Sequence, residues 1–481
     1  MPHRKIKLKA LNKEILQIAV PSIVSNVTVP LLGLVDTAIT GHLGAAAYLA
    51  AIAIGTSIFS LCYWAFSFLR MGTGGLTAQA FGRGSWTECR ECLRKALSIA
   101  LVAGVAIIAL QAFIADVALW LMDADGDVDR WARLYFRILV WGAPANLALS
   151  AMNGWFIGMQ DARSPMLIAV GQNVLNIVVS CTLVMGLGWK VEGVATGTLV
   201  AQWAGAAAAL CFVAKHLCRK KNIKRIEAIE AIDAIETIET IETIATIKSI
   251  KTRGPQDNSA PTAAQKPLSW ARLFSINRDI FLRTACLIAV MFSFTAFGSR
   301  QGEITLAVNA LIMQMFLLVS YVMDGFAYAG EAIGGRMMGA RDAAGFTTLT
   351  HRLFTWGAAA SALFTLAFAL GGDAIMALLT DNAAVRTAAH DYLWVTMAVP
   401  FVSLAAFIYD GLFIGTTSTR EMLISIAIAT LLYFVVALSS DTLSAYALDR
   451  NDWLWVGFLI YLGARGGVQH LLMRKIKARH F

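Results

Sequence analysis

The chain has 481 residues, of which 58% are hydrophobic and only 15% are charged. Soluble globular chains carry roughly 25% charged residues, so this composition excludes an ordinary soluble domain and indicates that lipid solvates most of the chain. The net charge of +9 does not indicate a nucleic-acid partner, because the lysines and arginines lie between apolar blocks, where they set membrane orientation.

Apolar blocks recur along nearly the whole chain, and a membrane-spanning helix needs ~20 apolar residues. We therefore predict an all-α integral membrane protein with twelve transmembrane helices. The predicted spans lie near 14–40, 47–80, 91–121, 130–159, 164–187, 193–217, 279–299, 304–338, 347–371, 385–415, 421–440 and 453–473. No cleavable signal peptide is expected, because a full-length span follows the basic N-terminus.

Basic residues concentrate in every second short loop, and acidic residues in the loops between. Arg83, Arg163 and Arg420 mark the basic loops, whereas Asp123 and Asp373 mark the acidic ones. Since basic loops stay on the cytoplasmic side, we expect both termini in the cytoplasm and a multi-pass protein of the cell (inner) membrane.

The stretch 218–278 is the one clear break in composition. It begins with basic residues and then repeats Ile-Glu-Ala or Ile-Glu-Thr triplets from Ile226 to Ile250. At ~100° per residue, an isoleucine at every third position winds around a helix instead of staying on one face. We predict a cytoplasmic low-complexity linker between an N-lobe (1–217) and a C-lobe (279–481), although its composition also tolerates a helix.

An internal repeat supports this two-lobe plan. The segment from Asn153 to Gly158, followed by Arg163, parallels the segment from Asp410 to Gly415, followed by Arg420, with an offset of 257 residues throughout. The repeat keeps the same membrane direction. It therefore predicts two six-helix lobes related by a pseudo-two-fold axis along the membrane normal, with a cavity between them.

Asp36 lies inside the first apolar run, with no basic residue close in sequence. A carboxylate at membrane depth costs on the order of 2.5–3.5 kcal/mol unless it is protonated, paired or in contact with water. Such residues often mark ion or proton routes, so we favour a functional role. The alternative is a structural hydrogen bond to a neighbouring helix.

Span five carries a polar face. Asn173, Asn176 and Ser180 follow the spacing i, i+3, i+7, and Thr198 and Gln202 are four residues apart on span six. Polar groups inside apolar helices must meet other polar groups or water. We expect all five to face a cavity shared with Asp36, and the alternative is simple helix–helix contact.

Other intramembrane polar residues give weaker signals. Arg70 ends an apolar run and is equally consistent with a functional role, a structural ion pair or a side chain reaching the interface. Asp324 and Glu331 are seven residues apart and share a helix face. They either form a second titrating site in the C-lobe or stabilise the lobe interface as structural residues, and we favour the structural role. Met291 and Tyr321 belong to a soft and aromatic set suited to hydrophobic cations, most of which we expect to be ordinary packing.

Four stretches together resemble one known family. They are Leu34-Val35-Asp36-Thr37-Ala38, the segment 68–82 with Leu76-Thr77-Ala78-Gln79-Ala80, the segment 323–332 with Met323-Asp324-Gly325, and Asp410-Gly411-Leu412-Phe413. They are similar to the multidrug and toxic compound extrusion (MATE) family, and within it to the DNA-damage-inducible F branch. The resemblance covers the chain except for the linker.

The resemblance implies a cation-coupled exporter of organic, often cationic and amphipathic, compounds. It implies that Asp36 is the coupling carboxylate, that the first helix bends at Pro21, and that Asn176 and Thr198 belong to the same site. The coupling ion would be a proton, or alternatively sodium, with no other cofactor and no bound metal. Ser180 stands where relatives often carry a second aspartate, which puts a two-carboxylate sodium site in question.

The mechanism we expect is antiport by alternating access in a monomer that binds a small-molecule substrate within the bilayer. No phosphate-binding loop occurs, so direct ATP hydrolysis is not expected. The alternatives are a lipid-linked precursor flippase of a related fold, a channel, and an integral-membrane enzyme. The enzyme is disfavoured because such enzymes need clustered aspartates or a histidine motif, whereas the acids and histidines of this chain are dispersed.

Overall fold

The computed structural model describes residues 2–41, 46–122, 126–246, 269–443 and 449–480, and the regular elements within these ranges are all helices. The helices of the first half are α1 (Pro2–Gly41), α2 (Ala46–Ala65), α3 (Phe68–Gly82), α4 (Trp86–Ala109), α5 (Gln111–Leu121), α6 (Gly126–Leu139), α7 (Ala143–Gly158), α8 (Arg163–Cys181) and α9 (Val191–Thr246). Those of the second half are α10 (Trp270–Ser299), α11 (Glu303–Gly339), α12 (Ala343–Leu379), α13 (Ala383–His390), α14 (Leu393–Gly415), α15 (Thr419–Leu438), α16 (Ser440–Leu443) and α17 (Arg450–His480). The Asp36 side chain lies outside the described residues.

These helices follow the order of the twelve predicted spans, but several spans are broken rather than continuous. Span two divides into α2 and α3 near Ser67, and span three divides into α4 and α5 at Leu110. In span four a short 3-10 turn separates α6 from α7. Pro144 lies in the first turn of α7, a position where the missing N–H of proline is tolerated.

Nine helical segments of the described chain are long and apolar enough to cross a membrane. The three other predicted spans correspond to α1, the α6–α7 pair and α17, which are helical as well. Helix α7 alone has only 16 residues, and α17 carries Arg465 and Gln469 in its middle. Charge and breaks therefore lower the apolar signal of spans that are nonetheless helical.

The predicted linker differs from the structure at both ends. Helix α9 continues without a break for 56 residues, well past the end of span six. Helix α10 begins at Trp270, ahead of the expected start near 279, because the Ser269 side chain caps its first turn by accepting from the Ala271 N–H. Leu273 and Ile276 of this early turn are buried in the core of the C-lobe, so they belong to the lobe. Residues 247–268 lie outside the description.

Glycines at the crossing of α3 and α11 show the internal repeat in three dimensions. A Cβ on Gly82 would overlap the backbone carbonyl of Arg336, and a Cβ on Gly339 would overlap the carbonyl of Gln79. Each contact is the image of the other under the 257-residue offset. The two helices therefore cross on the pseudo-two-fold axis, and the absence of side chains lets their backbones touch.

The same correspondence holds inside each lobe. A Cβ on Gly154 would overlap the carbonyl of Arg70, and a Cβ on Gly411 would overlap the carbonyl of Ala327. Helix α3 therefore packs on α7 in the same way as α11 packs on α14. The repeat in the sequence thus corresponds to a repeated helix crossing.

Candidate functional site

An ion pair joins the two lobes beside the pseudo-two-fold axis. Arg70 Nη1 of α3 lies 3.2 Å from Glu331 Oε2 of α11, and Glu331 is fully buried. The Arg70 guanidinium also lies 4.4 Å above the centre of the Tyr328 ring. The structure thus supplies the partner of Arg70 that the sequence left open, and it places Glu331 at the lobe interface.

The second carboxylate oxygen of Glu331 points at the backbone of the N-lobe. Its Oε1 accepts no hydrogen bond from a described residue, and it occupies the space that a Cβ on Gly74 would need. The repeat partners of Arg70 and Glu331 are Ala327 and Gly74, so the ion pair has no symmetric copy. The charged side chains at this crossing therefore lie on one side of the pseudo-two-fold axis, without a matching pair on the other side.

A second buried charge cluster lies inside the C-lobe. Arg283 of α10 and Arg465 of α17 both donate to Asp410 Oδ2 of α14, and Gln469 Nε2 donates to Asp410 Oδ1 at 2.6 Å. All four residues are buried. The cluster ties three helices together through one carboxylate, and its hydrogen bonds offset the cost of desolvating the charges.

Sequence reasoning missed most of this cluster. Asp410 was used only to define the repeat and the family resemblance, and Arg283 and Arg465 were not singled out. Both arginines lie within predicted spans seven and twelve, so a search for every charge inside an apolar span would have found them. Asp324, which is half-buried on α11, interacts electrostatically with both arginines and with Arg70. Asp324 thus connects this cluster with the ion pair at the interface.

Three of the predicted polar residues of the N-lobe are joined by hydrogen bonds. Asn176 Nδ2 donates to Thr198 Oγ1 at 3.1 Å, and Ser180 Oγ donates to Asn176 Oδ1 at 3.2 Å. Asn176 and Ser180 are buried, and Thr198 also donates to the carbonyl of Val194 at 3.0 Å. These bonds link α8 to α9, and they leave little unsatisfied polarity inside the helix pair.

The position of Ser180 is also set by close packing. A Cβ on Gly197 of α9 would overlap Ser180. The serine hydroxyl therefore lies against the bare backbone of α9, at a point where the two helices approach closely. A longer side chain at 180 has no space unless α9 moves.

Gln202 lies apart from this set, although it shares a face with Thr198. Its Oε1 occupies the space that a Cβ on Gly142 would need, at the junction between α6 and α7. Gln202 is buried. It therefore faces span four, and its Oε1 accepts no hydrogen bond from a described residue.

Helix α1 is tied to both lobes at mid-membrane. Asn173 Nδ2 of α8 donates to the carbonyl of Thr28 at 3.3 Å, and Asn26 Nδ2 donates to the carbonyl of Tyr321 on α11 at 3.2 Å. Pro21 lies inside α1 and is buried. Pro30 also lies inside α1, and a proline inside a helix removes one backbone hydrogen bond, so α1 lacks such a bond at each of the two positions.

Met291 is part of the packing of the C-lobe. It is half-buried on α10 and contacts the hydrophobic core formed by α10, α11 and α17. This position agrees with the expectation that most of the soft and aromatic set is ordinary packing. Tyr321 is half-buried, and the hydrogen bond from Asn26 goes to its backbone carbonyl rather than to its phenol oxygen.

Further interlobe hydrogen bonds lie where α3, α7, α11 and α14 end. Gln79 Nε2 donates to the Gly415 carbonyl and to Thr417 Oγ1, both at 3.1 Å. Gln160 Nε2 donates to the Ala332 carbonyl at 2.7 Å. Gln160 and Thr417 have φ values of 64° and 53°, and they are one repeat apart. Matching tight turns therefore present a side chain from each lobe to the other.

Asp161, in the loop before α8, holds the start of that helix. Its Oδ1 accepts from the backbone N–H groups of Arg163 and Ser164, and its Oδ2 lies 2.9 Å from His216 Nε2 on α9. Burial alone would raise the pKa of Asp161, but the hydrogen bonds from His216 and Ser164 outweigh it and lower the pKa to about 2. The carboxylate therefore stays ionised and clamps α8 to α9.

A family model for MatE matches residues 21–182 and 280–466, which together make up most of the chain. The DNA damage-inducible protein F of Escherichia coli K12 is 34% identical over 98% of this chain and 94% of its own length. A probable multidrug resistance protein NorM of Thermotoga maritima is 25% identical, over 42% of this chain and 44% of its own.

Solved structures agree on the fold. A mutant of the Vibrio cholerae MATE transporter VcmN superposes with a TM-score of 0.80 at 15% identity and covers 97% of both chains. A MATE structure in an outward-facing conformation gives a TM-score of 0.75 at 18% identity, over 98% of this chain and 96% of its own. The family match and the fold agree over both lobes, and the chain belongs to the MatE family of multidrug and toxic compound extrusion transporters.

Proposed function

We propose that the chain exports organic, cationic or amphipathic compounds in exchange for a cation, with the proton as the coupling ion, by alternating access. The one-sided closure of the lobes carries this proposal. The interlobe hydrogen bonds between described residues include Asn26–Tyr321, Ser67–Thr284, Arg70–Glu331 and Glu14–Arg336. They also include those of Gln79 and Gln160, which lie where α3, α7, α11 and α14 end. A transporter caught with one side shut has this distribution of contacts.

The closed end is the cytoplasmic one in this proposal. It lies beside the loops that carry Arg83, Arg163, Arg341 and Arg420, and basic loops face the cytoplasm. Both termini are then cytoplasmic, in the cell (inner) membrane. In this proposal the opposite side of the transporter faces the outside, where substrate leaves and the coupling proton enters.

Asp36 is the proposed coupling carboxylate. In its ionised form it attracts a cationic substrate, and a proton arriving from outside removes that charge and weakens binding. The change reaches the lobes through α1, because Thr28 and Asn26 attach this helix to α8 and to α11, with Pro21 as the point of bending. Return to the cytoplasmic side then requires the Arg70–Glu331 pair to separate.

Both faces of the transport path come from one chain, so we propose a monomer that uses no cofactor other than the coupling ion. Two solved structures that share this fold are described as MATE transporters, and we propose no enzymatic activity. The flippase alternative gains little from the buried arginines, because Arg283 and Arg465 are both paired with Asp410 inside the C-lobe.

The experiment that tests this proposal is substrate-driven proton movement in proteoliposomes, with and without sodium. Asp36→Asn is expected to abolish exchange while leaving the amount of folded protein unchanged. Asp381→Asn, at an exposed loop position, is the matched control and should exchange at the wild-type rate. If Asp36→Asn exchanges normally and the proton gradient has no effect, proton coupling through Asp36 is excluded. Flux that needs no exchanged ion would indicate a channel.

A further inference from the structure

A polar pocket of about 490 Å³ opens where α1, the α7–α8 loop and α9 meet. Its polar lining includes Gln17, Gln160, Asp161, Arg163, Lys215 and His216. The transport mechanism uses neither this pocket nor its basic side chains.

The charge of the lining favours an anion. Arg163 and Lys215 are exposed, and neither forms an ion pair with a described residue. Asp161 is the one acid in the lining, and it is already bound by His216 and by the backbone of Arg163. The pocket therefore keeps two cationic side chains available beside a histidine, and its single carboxylate is committed to the protein.

The depth of the pocket matches phospholipid headgroups. The apolar segment Val191–Cys218 of α9 has 28 residues, which span about 42 Å at ~1.5 Å per residue, whereas the hydrocarbon core is about 30 Å thick. A segment of this length extends beyond the hydrocarbon, and Lys215 and His216 lie within one turn of the end that leads into the basic run. Phe212, one turn earlier, lines the same pocket and provides apolar surface toward the acyl region.

The sequence after this point adds positive charge. Five further basic residues follow within ten positions, namely Arg219, Lys220, Lys221, Lys224 and Arg225. Clusters of this kind directly beyond a transmembrane helix attract anionic lipids, by ~1 kcal/mol for each basic residue near the surface. A basic run alone attracts anionic lipids without holding any one of them, whereas the pocket has the volume to bind a single headgroup.

We propose that this pocket binds the phosphate headgroup of an anionic phospholipid of the cytoplasmic leaflet, with Arg163 and Lys215 as its main ligands. The choice of leaflet rests on the proposed orientation of the transporter. The binding itself does not depend on transport.

Occupancy of the pocket also bears on the lobe interface. Gln160 lines the pocket, and its side chain donates across to the Ala332 carbonyl of the C-lobe at 2.7 Å. A bound headgroup holds the loop that carries Gln160. It thereby stabilises the state that is closed to the cytoplasm relative to the open one.

The test uses the purified full chain in a neutral detergent without added lipid. Binding is measured by native mass spectrometry and by calorimetric titration with dioctanoyl phosphatidylglycerol, dioctanoyl phosphatidylcholine and inorganic phosphate. We expect saturable binding of phosphatidylglycerol that is at least ten-fold tighter than binding of either of the other two. Arg163→Ala/Lys215→Ala is expected to weaken it roughly 30-fold, as the loss of two headgroup contacts predicts.

The matched control is Arg420→Ala/Lys475→Ala. Arg420 is the repeat partner of Arg163, and both control residues are exposed basic residues of the C-lobe. This variant should bind within two-fold of wild type, and Arg163→Lys/Lys215→Arg should restore most of the binding. Equal losses in the pocket and control variants would overturn the proposal, as would equal binding of the two lipids. Inorganic phosphate as tight as phosphatidylglycerol would identify a soluble anion and overturn it too. None of these measurements uses an ion gradient, so failure here is distinguishable from failure of the antiport proposal.

Discussion

Arg70 and Glu331 connect the two lobes at a place where the repeat itself supplies only Ala327 and Gly74. The 3.2 Å pair is thus an asymmetric addition to a symmetric crossing. In the proposed alternating-access cycle the pair separates when the lobes move apart. Because Glu331 is fully buried, separating it from Arg70 costs free energy unless other groups take over the two charges. We call this ion pair the latch.

The first prediction concerns this pair. Glu331→Ala and Arg70→Ala each leave one charge without its partner, and each is expected to lower stability by about 3–5 kcal/mol. The double variant Arg70→Ala/Glu331→Ala should lose clearly less than the sum of the two. Thermal unfolding in detergent measures the three differences, and strict additivity would contradict the latch.

Arg83→Ala provides the control for that cycle. Arg83 pairs with Glu88 at a partly exposed site at the end of α3, and such surface pairs contribute about 0–1 kcal/mol. We therefore expect only a small change in unfolding temperature for this variant. A loss as large as that of Arg70→Ala would mean that any arginine removed from α3 destabilises the protein.

The second prediction concerns the space beside Glu331. Gly74→Ala places a methyl group where Glu331 Oε1 now lies, so the carboxylate must move away from Arg70. We expect reduced transport and a less stable closed state, measured by exchange rate and by cross-linking across the lobes. Gly171→Ala on α8 is the control, because a Cβ there meets nothing within 4 Å. Equal effects of the two substitutions would exclude a specific role for this contact.

The third prediction concerns the buried cluster of the C-lobe. Asp410→Asn keeps the shape of the side chain but removes the carboxylate with which Arg283 and Arg465 both pair. Two buried guanidinium groups then face an uncharged amide, and we expect a loss of about 3–5 kcal/mol in thermal or denaturant unfolding. Unchanged stability would mean that Asp324 alone balances these arginines.

The pairing of these charged residues shows how much of the structure can be predicted from the sequence. The 257-residue repeat predicted two lobes related by a pseudo-two-fold axis, and the glycine contacts of the helix crossings occur in pairs that keep the same offset. It did not predict that Arg70 pairs with Glu331 or that Asp410 binds two arginines. Those pairs join residues that are far apart in the chain, and their partners depend on how helices are arranged in the bilayer.

Local polar spacing was informative on one helix face and misleading on another. The spacing of Asn176 and Ser180 predicted a shared face, and the structure bonds both to each other and joins Asn176 to Thr198. Gln202 shares a face with Thr198, but α6 and α7 approach that turn and draw it toward Gly142. Helix periodicity defines a face, whereas the neighbouring helices decide what each turn of that face meets.

The fourth prediction follows from the packing of Ser180. Ser180→Asp adds volume and charge to a fully buried site where the backbone at Gly197 leaves no room. We expect a loss of about 1–3 kcal/mol from overpacking and no new dependence of transport on sodium. Ser180→Ala, the control, loses one hydrogen bond and should cost about 1 kcal/mol. Sodium-driven exchange by the aspartate variant would show that the N-lobe site tolerates a second acid.

The last prediction concerns pH and Asp161. The pKa of this carboxyl is lowered from its ordinary 3.8 to about 2, so the folded protein binds the proton less well than the unfolded chain does. The contribution of the ionised group to stability is therefore complete above pH 4 and is lost as the pH falls through about 2. Asp161→Ala removes the cap of α8, and we expect a loss of about 1 kcal/mol at pH 7. The difference in unfolding free energy between wild type and variant should stay constant from pH 7 to about 5 and shrink below pH 4, while Asp381→Ala, at an exposed loop site, should show no such trend. A difference that grows on acidification would mean that the hydrogen bonds from His216 and Ser164 do not favour the ionised carboxylate.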